Sequence, residues 1–98
     1  MPSYLVLGKY TQQGLANFAE APERIAAAKE NISNAGGRMI FFYLTFGEYD
    51  FASVVELPDD ESAARLSIGT SAQGNITTTT GRAFTEEETA ALAASIGG

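Results

Sequence analysis

Residues 38–57 read RMIFFYLTFGEYDFASVVEL, two apolar runs joined by Gly47-Glu48-Tyr49-Asp50. The first run is rich in aromatic and branched side chains, which suit a pleated, half-buried surface. Strict alternation puts Met39, Phe41, Tyr43 and Thr45 on one face and Ile40, Phe42, Leu44 and Phe46 on the other. Both sets are hydrophobic. The second run, Tyr49 to Leu57, follows a short connection containing glycine, so the two are expected to pair as an antiparallel hairpin.

Upstream, Ser3 to Tyr10 alternates as a first strand, with Tyr4, Val6, Gly8 and Tyr10 on one face. Thr11 can cap a following helix. Leu15, Phe18, Ile25 and Ile32 recur at spacings that define one helical stripe. Pro22 is expected to divide a short first helix from a longer second one, and Gly36-Gly37 to end the latter. Downstream, Pro58-Asp59-Asp60-Glu61 opens a helix with an aspartate cap and acidic groups beside the positive end of the dipole. That helix has a thin apolar stripe and stops at Gly74. Ile76 to Phe84, with four consecutive threonines, reads as a further strand. Thr85-x-x-Glu88 is a capping box for a terminal helix through Leu92 and Ile96.

The order is strand, helix, strand, strand, helix, strand, then a C-terminal helix. This predicts an α+β fold of the ferredoxin-like βαββαβ kind, one domain over residues 1–98. Helices can cover one face of such a sheet, yet the second strand is apolar on both. A bare face carrying Phe, Tyr and Met side chains exceeds what a soluble monomer usually exposes. A homodimer or higher homo-oligomer is therefore expected. The competing reading is a monomer whose terminal helix folds over the second face.

Composition narrows the chemistry. Twelve acidic and six basic residues give a net charge of −6, and the basic residues form no cluster, so nucleic acid and anionic membranes are not expected partners. The chain has no cysteine and no histidine. That removes disulfides, thiolate and imidazole ligands, and every Ser-His or Cys-His pair. No metal site or cofactor is expected. The opening residues lack the order of a signal peptide and no run is long enough to span a bilayer, so a cytoplasmic location is expected.

Several segments together resemble the GYD-domain family: the Met-Pro-x-Tyr opening, TQQG at Thr11 to Gly14, and FYLTFGEYD at Phe42 to Asp50. VELPDDE at Val55 to Glu61, Gly74-Asn75 and the RAFTEEE ending extend the match over nearly the whole chain. The name-giving residues are Gly47, Tyr49 and Asp50, with Glu48 inserted. The resemblance implies a ferredoxin-like domain akin to the dimeric α+β barrels, in which two sheets face each other. It brings no established activity, and fold alone assigns none.

The residues singled out as ligand-binding are Thr11, Tyr43, Tyr49, Asp50 and Arg82. Gly47-Glu48-Tyr49-Asp50 can be a turn in which glycine supplies positive φ and Asp50 accepts backbone N–H groups. The less favoured reading places a phenol beside a carboxylate for proton transfer. Thr11 is a cap or part of an amide cluster holding a ligand oxygen, and Arg82 is an ion-paired edge group or an anchor for a carboxylate. Two functions follow. One is a non-catalytic module that binds other chains or a small, partly apolar molecule. The other is a cofactor-independent enzyme of the oxygenase or isomerase type using Asp50 and a tyrosine.

Overall fold

A computed structural model describes residues 1–97. The chain begins with β1 (Ser3–Tyr10), followed by a short helix α1 (Gln12–Ala16), a 3₁₀ turn (Phe18–Glu20) and α2 (Ala21–Asn34). Two strands, β2 (Arg38–Leu44) and β3 (Phe51–Glu56), precede α3 (Asp60–Ala72); β4 (Ile76–Ala83) and α4 (Glu86–Ile96) complete it. The sheet has the order β2-β3-β1-β4 and is antiparallel throughout, the order of the ferredoxin-like arrangement. The expected hairpin forms, with a longer loop between shorter strands than the apolar run suggested.

Local chemistry sets the helix ends. The Thr11 and Asp59 side chains accept from the N–H groups of Gly14 and Ser62. Pro22 lies in the first turn of α2, where a missing N–H costs nothing. At the other end Gly36 takes φ 88°. The N–H groups of Gly36 and Gly37 return to the carbonyls of Ser33 and Ile32, closing the helix as a Schellman motif. The Thr85–Glu88 capping box forms in both directions.

The proposed single stripe through Leu15, Phe18, Ile25 and Ile32 does not exist, because the segment is broken into three helical pieces. Leu15 and Phe18 remain exposed and only Ile32 is fully buried. The core is small: Tyr4, Ile32, Val55, Leu57 and Ala63, with Val6, Met39 and Leu66 against it.

Strict alternation also fails in β2. The register shifts between Met39, opposite Val55, and Phe41, opposite Val54. This bulge at Ile40 moves the later residues to the other face from the one period two assigns. Met39 and Phe42 share the helix-covered side, while Phe41 and Tyr43 belong to the open side.

The terminal helix does not close that open side. α4 buries none of its side chains, and Leu92 and Ile96 stay exposed. The radius of gyration, 14.8 Å, exceeds the about 13 Å expected for a compact chain of this length. A monomer sealed by its own terminal helix is thus not what the chain forms.

Candidate functional site

The Gly47–Asp50 loop carries a specific backbone role for Asp50. The β1–β3 ladder ends at Gly8 opposite Phe51. Beyond it the N–H of Asp50 donates to the Gly8 carbonyl at 2.8 Å. The next inward amide of β1, that of Tyr10, then donates to the Asp50 Oδ2 at 2.8 Å. The carboxylate takes the place of the strand carbonyl that the ladder lacks. Across the loop the Asp50 carbonyl accepts from the Thr45 N–H at 2.7 Å, and the Thr45 hydroxyl donates to the Tyr49 carbonyl at 2.7 Å. Gly47 adopts φ 126°, in the left-handed region that favours glycine.

Thr11 is tied into the fold just as closely. Its N–H donates to the Asn75 carbonyl at 3.0 Å and its hydroxyl to the Gly74 carbonyl at 2.6 Å, while the same oxygen accepts from the Gly14 N–H. The Gln13 amide reaches Gln73 and Asn75. A Cβ on Gly14 would lie 2.0 Å from the Asn75 carbonyl oxygen, so the TQQG and Gly74-Asn75 segments interlock only with glycine there.

The five singled-out residues do not all converge. Thr11, Tyr49 and Asp50 gather near the Tyr10 end of β1, and Tyr43 lies on the open face in the row of Ala52 and Leu7. Tyr49 carries the Lys9 ammonium 5.6 Å from its ring centroid. Arg82 sits opposite Tyr4, six residues back along β1, about 20 Å away. Its guanidinium bonds the Ala83 carbonyl and Glu88 and covers the Phe84 ring at 4.5 Å. The Thr85 N–H, and then Arg82, hold the Glu88 carboxyl below its ordinary range.

A different phenol–carboxylate pair stands at the edge of the core, where the buried Tyr4 meets the exposed Asp60. The Tyr4 hydroxyl donates to Asp60 Oδ1 at 2.6 Å. That hydrogen bond, burial and the Asp60 charge push the phenol up to about 12. Fifty-six residues separate the partners, and no local pattern in the sequence links them.

The two sides of the sheet differ. On the helix side a cavity of about 150 Å³ lies between the strands and α2 and α3. On the open side two cross-strand rows stand side by side. Phe41, Val54 and Leu5 form one, and Tyr43, Ala52 and Leu7 the other. Tyr43 is 64% exposed and Leu5 38%. Among the described residues Glu56 is the one acidic side chain of the strands on this face, and it is paired with Arg38 at 2.5 Å. Two residues beyond β2, in the loop, Phe46 is 99% exposed.

Comparison with known proteins adds two findings. The GYD domain family matches residues 4–93. A protein of Thermus thermophilus described as "Glutamine synthetase and cystathionine beta-lyase binding protein" is 32% identical over 81 residues, covering 82% of this chain and 85% of its own. No solved structure matches.

Proposed function

The chain belongs to the GYD domain family, and from that premise we propose that it is a non-catalytic interaction module acting as a homo-oligomer through its open sheet face. The observation that carries this reading is the pair of uncovered rows, Phe41-Val54-Leu5 and Tyr43-Ala52-Leu7. Apolar side chains at the centre of a patch, with charged groups at its edge, are the anatomy of a protein interface. Two chains of charge −6 repel. The open face adds little to that repulsion, since its one acidic side chain among the described residues, Glu56, is paired with Arg38. A two-fold pairing of this face with a second copy would set sheet against sheet, as in a dimeric α+β barrel.

The printed name of the Thermus thermophilus relative supports an interaction role in general. Glutamine synthetase and cystathionine beta-lyase are the first partner enzymes to test against this chain, and the cytoplasm is the compartment proposed for it. No helix among the described residues is long and apolar enough to cross a membrane. The enzyme reading is the weaker one, because Asp50 already has a backbone role through Oδ2, which accepts from the Tyr10 N–H, and no tyrosine hydroxyl among the described residues is bonded to it.

Light scattering tests the proposal. The wild type should give a mass at least twice the 10.3 kDa chain mass at micromolar concentration, and Tyr43→Asp should return it to one chain. A wild-type mass of 10.3 kDa would refute self-association.

A further inference from the structure

The cavity on the helix side arises from small residues. Ala28 of α2 and Ser67 and Thr70 of α3 line it, over a floor that includes Tyr10, Phe42 and Phe51. The Phe42 and Phe51 rings stack with centroids 5.1 Å apart, and Tyr10 lies 5.8 Å from Phe51. Alanine and serine leave part of this floor unfilled, although Phe51 itself is buried. Interiors fill to near crystal density, so about 150 Å³, partly open to solvent, is a large gap for 98 residues. An engineered apolar cavity of roughly this size holds benzene.

The walls also define polarity. Ser67 and Thr78 share a hydrogen bond at 3.2 Å, which leaves further acceptor capacity on both oxygens. The Tyr10 hydroxyl makes no hydrogen bond within the described residues, and burial raises its pKa so that it stays a donor. Arg24 is the one cation in the lining. It is already engaged by Glu20 at 3.6 Å and by the Asn17 carbonyl at 3.3 Å. No free charge awaits an anion, and the chain's net charge of −6 opposes one.

We infer that this cavity binds a small, uncharged, single-ring aromatic compound carrying a hydroxyl or carbonyl group. Its ring would lie on Phe42 and Phe51, and its polar group would meet the Tyr10 hydroxyl. The inference goes beyond self-association: the cavity is on the opposite side of the sheet, so a protein that stayed monomeric would leave it intact. It also gives a place to the small, partly apolar partner expected from the sequence.

Amide chemical-shift titrations with phenol, toluene and benzoate test it. Phenol should give saturable shifts at Ala28, Thr70 and Thr78, with benzoate weaker by about tenfold or more. Ala28→Leu should fill the space and abolish binding while the protein stays folded. Tyr10→Phe keeps the ring and should weaken phenol severalfold without changing toluene, a result that decides the matter even if Ala28→Leu does not fold. No saturable shift, shifts confined to the open face, or equal affinity for benzoate would each overturn the inference.

Discussion

Replacing Asp50 by Asn tests whether that carboxylate closes a ladder or serves chemistry. In the structure its Oδ2 stands 2.8 Å from the Tyr10 N–H, where no strand carbonyl reaches. A hydrogen bond to a charged group contributes about 1.5–3 kcal/mol and a neutral one about 0.5–1.5. The amide keeps an acceptor but loses the charge assistance, so Asp50→Asn should destabilise the fold by about 1–2 kcal/mol. Asp50→Ala leaves the Tyr10 N–H without its partner and should cost as much or more, about 1–3 kcal/mol. For a domain of this size the asparagine variant should melt about 4–16 °C below wild type. Calorimetry at neutral pH and one fixed protein concentration measures this, since association would otherwise move the melting point. An asparagine variant that melts at or above wild type would refute the ladder role and restore Asp50 as a poised base.

Other expectations are as direct. Gly14→Ala sets a Cβ 2.0 Å from a backbone oxygen, and chemical denaturation should show a loss of about 2 kcal/mol or more. Gly47→Ala meets no neighbour but must hold φ 126°, a penalty of about 1 kcal/mol; an unchanged denaturation midpoint would show that the loop relaxes. Among the four tyrosines, absorbance titration should find one phenol ionising near 12, absent in Tyr4→Phe. Because that folded value is raised, its contribution to stability is present below the ordinary 10.0 and is lost as pH rises through about 12. Asp59 and Glu88 have the opposite sign: each is lowered from an ordinary 3.8 or 4.5, so their contribution is present above those values and lost as pH falls through the folded ones. Glu88→Gln should therefore flatten the acid limb of a urea-midpoint profile.

Much of the fold was legible because it is written in short-range chemistry. Thr11, Asp59 and Thr85 announce helix starts, and the Gly36 and Gly47 positions need only a backbone that other residues resist. The faces of β2 were not legible, because a bulge at Ile40 leaves no mark in hydrophobicity when both neighbours are also apolar. Asp50 was recognised as an acceptor, but its donor lies 40 residues away on β1. The Tyr4–Asp60 pair is hidden for the same reason. TQQG and Gly74-Asn75 stood out as separate fragments; only the fold shows that they are two halves of one contact.

The placement of β1 has a consequence for how the chain acquires its structure. It lies between β3 and β4, and its Ser3 pairs with both Glu56 and Ala83. The β2–β3 hairpin needs only local closure, a matter of microseconds. The strand synthesised before either must wait for partners 43–53 and then 66–80 positions onward. High contact order of this kind slows folding and leaves strand edges exposed meanwhile. On the ribosome, Tyr4, Leu5 and Val6 therefore spend most of the chain's synthesis unpaired, and the polar threonines of β4 arrive last to close the edge.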